Sequence, residues 1–153
     1  MQPFQAAVGG YVIGYPRGWE VAPAADGRAV AFFGPPVLLR GATFRPNMVL
    51  SVTPTPQGVD DRQVVATAEA ALAQAMPGLR RLGQETISAD DGRPVTVGYY
   101  LADGLGGRLY LVLGVAQRDA RLATVLGMTS PDLVGYRIHA GLYRAAILSF
   151  RMR

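Results

Sequence analysis

The sequence predicts an α+β domain built on one central, mainly antiparallel, twisted sheet of about six strands flanked by helices. Three observations carry this. Strand-like and helix-like segments follow in the order strands, helix, strands, helix. Neighbouring strand segments are mostly joined by tight turn signals, which suit antiparallel pairing and not parallel crossovers. Two late segments, 108–116 and 121–129, are apolar on both alternating sets, as in strands covered on both faces.

Tyr11 to Tyr15 reads as a short strand, turned by Pro16-Arg17-Gly18 into an extended Trp19 to Ala22. Ala25-Asp26-Gly27 marks a hairpin turn, and Ala29 to Phe33 is the returning strand. Gly34 to Pro46 carries Pro35, Pro36, Gly41 and Pro46 and is expected to be a long irregular loop. Met48 to Thr53 alternates as a half-buried strand, ended by Pro54-Thr55-Pro56-Gln57-Gly58. Asp60 followed by Gln63 is a capping-box variant. The helix it opens reaches Ala75, with Val64, Ala68, Leu72 and Ala75 on one stripe, and Pro77-Gly78 stops it.

Leu82 to Ala89 is a polar edge strand, and Asp90-Asp91-Gly92-Arg93 turns it into Pro94 to Ala102. Asp103-Gly104-Leu105-Gly106-Gly107 is a hairpin loop leading to Arg108–Ala116, where Leu109, Leu111 and Leu113 face one way and Tyr110 and Val112 the other. Arg121 to Thr129 follows, and Val125 and Leu126 are assigned with Leu109 and Leu111 to the core. Ser130-Pro131-Asp132 supplies an N-cap, a proline at the first helical position and an acidic first turn. The closing helix runs to Leu148, with Val134, Ile138, Leu142 and Ala145 as its buried stripe. Gly135 and Gly141 weaken that helix, so they are expected to permit its close approach to the sheet.

The length of 153 residues suits a single domain spanning 1–153. Half the residues are hydrophobic and 17% are charged, which excludes a disordered chain. No apolar run approaches the ~20 residues of a membrane-spanning helix. The N-terminus lacks a basic stretch followed by an apolar block, so a cytoplasmic location is expected unless a leader has been removed. The chain has no cysteine, which excludes disulfides, thiol catalysis and thiolate metal sites. All 15 basic residues are arginine and the net charge is +4. The arginines are scattered, and no nucleic-acid motif of interleaved aromatics accompanies them, so nucleic acid is not an expected partner.

Chemical signatures are sparse. His139 is the single histidine, and no Gly-x-Ser-x-Gly elbow supplies a serine for it to activate. Helical spacing places Tyr136, His139 and Tyr143 on one face, read as packing rather than catalysis. Asp60-Asp61 and Asp90-Asp91 are sequence neighbours that point apart, suited to a cap and a turn. The glycine-rich 103–107 segment leads into a strand and lacks a Lys-Ser/Thr ending, so it is a hairpin and not a phosphate cradle. Arg137, Arg144 and Arg151 recur every seven residues and form a secondary basic face. No catalytic residue, cofactor or metal is expected.

Three phrases bear a resemblance: Tyr15-Pro16-Arg17-Gly18-Trp19-Glu20, Pro46-Asn47-Met48-Val49-Leu50-Ser51-Val52 and Ile147-Leu148-Ser149-Phe150-Arg151. Together they resemble the PsbP-like superfamily across nearly the whole chain. The resemblance implies an α/β/α sandwich in which Trp19 packs at the start of the domain. It also implies a role that is not enzymatic. Branches include the photosystem II oxygen-evolving accessory protein and its bacterial relatives, and DcrB-like proteins similar to chaperones of secretion effectors. Others are actinobacterial exported lipoproteins and Ran-binding import factors. No calcium, manganese or Ran-contact motif of these branches is matched.

The expected function is therefore an accessory or binding module that docks on a larger bacterial protein assembly, such as a membrane-associated or secretion complex. The alternatives are a DcrB-like chaperone for a secretion effector, and a small-ligand or enzymatic domain using a pocket near His139. A homodimer is compatible with the first reading. Docking is assigned to the Gly34–Pro46 loop and the adjoining Phe33, where Val37, Leu38, Leu39, Arg40, Phe44 and Arg45 cluster, because apolar patches flanked by arginine form interface centres; the alternative is a loop that folds its own leucines onto the sheet. Leu111→Ala, in the two-sided strand, is expected to cost about 2–5 kcal/mol of stability through the cavity it leaves. A denaturant melt showing a loss below about 1 kcal/mol would remove that strand from the core.

Overall fold

A computed structural model describes residues 1–6, 10–55, 59–104 and 106–153. The strands are β1 (Gln2–Gln5), β2 (Tyr11–Tyr15), β3 (Glu20–Pro23), β4 (Ala29–Phe33), β5 (Val37–Leu39), β6 (Ala42–Phe44), β7 (Asn47–Pro54), β8 (Arg80–Ser88), β9 (Pro94–Gly104), β10 (Gly107–Arg118), β11 (Arg121–Thr129) and β12 (Arg151–Met152). The helices are α1 (Asp61–Ala75), between β7 and β8, and α2 (Tyr136–Ser149), between β11 and β12. Pro56, Gln57, Gly58 and Leu105, which the sequence assigns to a strand end and a hairpin loop, lie outside the described residues.

The main sheet has seven strands in the order β3-β4-β7-β11-β10-β9-β8, every pair antiparallel. The chain leaves β7, crosses through α1 to the far edge, and returns strand by strand through β8, β9 and β10 until β11 pairs with β7. The α+β sandwich is as expected, with β8 as the polar edge strand. Two strands the sequence did not reveal, β1 and β12, join β2 in a separate three-stranded sheet. Four and two residues are too few for a period-2 pattern to register.

Both faces of the main sheet are covered. On one, Val64 and Leu72 of α1 bury against Tyr100, Leu111, Leu113 and Val115. Asp60 caps α1 as its spacing predicts, accepting a hydrogen bond from the Gln63 amide at 2.8 Å. Ala75, expected on the buried stripe, is exposed in the last turn. On the other face, Tyr143, Ala146 and Ile147 of α2 join Val112, Ala116 and Val125, together with Tyr11 and Ile13 from β2. Leu109, Leu111 and Val125 are buried as expected, while Leu126 is half-buried.

The last helix departs from expectation in start and in phase. Ser130 does accept from the Asp132 amide, at 3.3 Å, but the chain there only turns. Gly135 adopts φ +84°, which breaks helical continuity, and α2 starts afresh at Tyr136. The expected buried stripe then faces outward: Val134 and Ile138 are exposed, and so is Ala145. Tyr143 points inward instead, its hydroxyl donating to the Met128 carbonyl at 2.6 Å.

The glycines that permit close approach lie in the sheet and not in the helix. A Cβ on Gly127 of β11 would fall inside the Tyr143 ring, and one on Gly114 of β10 would lie 2.6 Å from Ile147. Nothing stands within 4 Å of a Cβ on Gly141. Gly127→Val is therefore expected to lose about 1–3 kcal/mol by overpacking, although strand propensity alone favours valine by up to about 1 kcal/mol. Gly141→Ala is expected to gain about 0.5–1 kcal/mol. Urea melts of the two variants check the pair, and equal shifts of the same sign would contradict this packing.

Candidate docking surface

The 34–46 segment is not irregular. Arg40 and Gly41 take left-handed conformations, with φ +50° and +76°, and hinge a tight two-residue hairpin between β5 and β6. The prolines that suggested a loop lie outside these strands, and strands of three residues leave no readable alternation. Leu39 and Phe44 turn down and bury against Leu109, with Val37, Met128 and Leu133 packed around them. Leu38 faces the other way and is 78% exposed. Of the six residues assigned to docking, two are thus the hairpin's own core.

The arginines hold the hairpin in place. Arg40 forms an ion pair with Asp132, in the turn before α2. Arg45 donates to the Gly34 carbonyl at 2.9 Å and to Glu20 at 3.0 Å, and its guanidinium lies 5.2 Å from the centre of the Phe33 ring. Asn47 donates to the Arg45 carbonyl at 3.0 Å. Trp19 is buried, as expected, with its indole against Gly34.

Beside the hairpin, the sheet face that α1 shares continues half-open. Strand register puts Phe33, Asn47 and Met128 in one row and Ala31, Val49 and Leu126 in the next. All six are half-buried, whereas their neighbours on the opposite face, Phe32, Met48, Val30 and Leu50, are buried. In β10 the same rows end in Leu111 and Leu113, which α1 covers. Of these six residues sequence reasoning named only Phe33 for docking, although the wholly apolar β4 signals a strand greasy on both sides.

His139 sits elsewhere. Its Nδ1 lies 3.1 Å from the Thr129 hydroxyl, and its ring stands 6.5 Å from Trp19, edge to face. Burial lowers its pKa below the ordinary 6.5. A cleft of about 750 Å³ does exist, but it lies under α1 on the other side of the sheet, lined in part by Arg62, Glu69, Arg81 and Arg118. No residue of α2 lines this cleft, so it is a different surface from the one around His139. Glu69 accepts from the Tyr100 hydroxyl at 2.7 Å, and burial first, then this carboxylate, raises the Tyr100 pKa.

Arg118 is 2% exposed and forked onto Asp91, with its Nε at 3.0 Å and Nη2 at 3.3 Å, while its Nη1 donates to the Pro94 and Gln117 carbonyls. Partial burial opposes ionisation of Asp91, but hydrogen bonds from Arg118 and the Arg93 amide outweigh it and lower the pKa. The pair locks a turn to β10; it is structural. Among the described residues no three His, Asp or Glu side chains gather as a metal site would. No helix among them is long and apolar enough to cross a membrane.

The secondary basic face is only partly assembled. Arg137 and Arg144 lie along one flank of α2, but Arg151 is beyond the helix, in β12. Arg144 donates to Glu85 at 2.8 Å, and that bond, followed by one from Tyr99, lowers the Glu85 pKa. Arg137 leans on the ring of Tyr136.

This seven-stranded sheet between two helices, with a small sheet beside the second, is the PsbP-like fold. Among solved structures, the chain is similar to cyanobacterial PsbP (CyanoP) from Synechocystis sp. PCC 6803. That match has 15% identity and a TM-score of 0.69, and covers 99% of this chain and 92% of that one. It is similar also to LpqN of Mycobacterium tuberculosis, a protein involved in cell envelope biogenesis, at 13% identity and a TM-score of 0.69, covering 99% and 89%. The Ran-binding protein Mog1p of Saccharomyces cerevisiae matches at 9% identity and a TM-score of 0.67, covering 99% and 94%. No family model matches the chain. No curated protein matches it by sequence.

These environments set a pH dependence. A histidine whose folded pKa is depressed loses stability as pH falls through the window below its unfolded value of 6.5. Glu85 and Asp91, also depressed, contribute stability above their ordinary values of 4.5 and 3.8, which is lost on further acidification. Melts between pH 7 and 5 are expected to show a decline that His139→Gln flattens, while the fall below about pH 4.5 persists. An unchanged slope in the variant would place His139 in solvent.

Proposed function

We propose that the chain is a non-enzymatic accessory module that docks on a larger protein assembly. Its docking surface is the β5–β6 hairpin with the half-open rows beside it, Phe33–Met128 and Ala31–Leu126. The carrying observation is a row of apolar residues that α1 buries in β10 and leaves half-covered in β4, β7 and β11. Exposed Leu38 stands on the neighbouring hairpin, which Arg40 and Arg45 tether, so a partner would lose less entropy in ordering the contact than on a free loop. The comparison proteins share the fold alone, but one binds Ran and another serves the cell envelope, in line with docking roles.

Within this reading Leu38 and Phe33 make contact, Arg45 and Arg40 hold the geometry, and Leu39 and Phe44 support the hairpin from beneath. An escort role toward a secretion effector would use the same surface. A small-ligand role would draw on the cleft of about 750 Å³ under α1.

Leu38→Asp tests the proposal directly. Because Leu38 is exposed, its melting curve should move by less than about 0.5 kcal/mol. Binding to the native partner, captured by crosslinking from a native extract, should weaken by about 1–2 kcal/mol, roughly five- to thirtyfold. Hydrogen exchange should show protection across β4 and the hairpin. Undiminished binding, with protection confined to the α2 side, would reject it.

A further inference from the structure

The outward side of α2 carries an apolar stripe that the fold does not use. Ile138 is 68% exposed, Val134 just before the helix is fully exposed, and Gly141 and Ala145 are exposed between them and the C-terminal turns. At 100° per residue, Ile138, Gly141 and Ala145 fall within about 60° of arc, opposite Tyr143. The inner side is already accounted for by Tyr143, Ala146 and Ile147. An exposed apolar stripe rimmed by polar residues is the kind of surface a partner covers.

The edges of the stripe say what covers it. Arg137 and Arg144, one heptad apart, line one edge, and Leu142 and Ser149 line the other. Glu85 is the acid that faces this edge, and it engages Arg144; among the described residues the side chain of Arg137 meets Tyr136, its ring and its hydroxyl at 3.4 Å, and no carboxylate. The floor between Ile138 and Leu142 is shallow, since Gly141 and Ala145 lack bulk. A second copy paired antiparallel would set arginine edge against arginine edge, which repels. The chain's net charge of +4 adds to that repulsion and favours an anionic partner.

We propose that this stripe docks the apolar face of an acidic amphipathic helix from another protein. The partner's leucine or alanine side chains would lie along Ile138, Gly141 and Ala145, with a carboxylate at the Arg137 edge. The helical part of the stripe, Ile138 to Ala145, lies on the sheet face opposite the rows of β4, β7 and β11, although the turn before it touches the hairpin through Asp132 and Leu133; the proposal stands whether or not the hairpin docks a partner.

Two synthetic helical peptides with the same leucine–alanine stripe, one flanked by glutamates and one by lysines, test this by titration into the full chain, read by NMR shifts and calorimetry. The glutamate peptide should bind about tenfold or more tightly than the lysine peptide, with shifts centred on 137–145. Ile138→Asp and Arg137→Glu should each weaken it by about tenfold, with unchanged melting curves. Arg62→Glu, the same charge change on α1, should leave binding intact. Any of four results would overturn the proposal: no binding by the glutamate peptide, equal binding by both, equal weakening by Arg62→Glu, or a concentration-dependent dimer that Ile138→Asp dissolves.

Discussion

Two absent side chains organise this molecule. Gly127 and Gly114 lie in neighbouring strands of the sheet, and the space above them is filled by Tyr143 and Ile147 of α2. Tyr143 is wholly buried there, hydrogen-bonded to the backbone and stacked edge-on to Trp19 at 6.1 Å. Burial of such a large ring is a major contribution to the packing of that face. Once it is seated, the azimuth of the helix is decided, and with it every residue that α2 shows to solvent.

The same constraint explains how unevenly the sheet is covered. The α2 face also receives the β1-β2-β12 sheet, and Val30, Phe32, Met48 and Leu50 are sealed beneath it. Among the described residues, the opposite face is covered by α1 at one side and the β5–β6 hairpin at one end. Side chains in β4 and β7 on that face remain half-covered. The edges are protected by other means: β8 carries arginines, and β3 is short, with Glu20 and Pro23. Association through sheet edges is thereby disfavoured, and the faces are left as the surfaces available to partners.

Much of this was legible in the sequence where a local rule was strong. The Asp60 cap, the two-sided strands and the antiparallel turns each rest on residues near in sequence, and each is found in the fold. The phase of α2 was not legible, because Val134, Ile138, Leu142 and Ala145 make as good an apolar stripe as the one that is buried. The choice was made by glycines in strands that come close only after folding. The hairpin was hidden for a different reason: three-residue strands carry no period, and Pro35 and Pro36 mask the Arg40-Gly41 turn. The pairing of Arg118 with Asp91 joins residues 27 apart and leaves no local trace. Within the candidate docking site, composition singled out the 34–46 segment, but only the register of β4, β7 and β11 shows which apolar residues remain half-open beside it.

The seating of α2 is the claim on which its outward stripe depends, and the absence of cysteine makes it directly measurable. Single-cysteine variants Ile138→Cys and Ile147→Cys can be reacted with a small maleimide under native conditions. The thiol at position 138 should react at the rate of a free, exposed cysteine, while that at position 147 should react only as the fold opens, slowing further in conditions that stabilise it. A reversed order, or equal rates at both positions, would mean that α2 packs on the stripe assigned here to solvent.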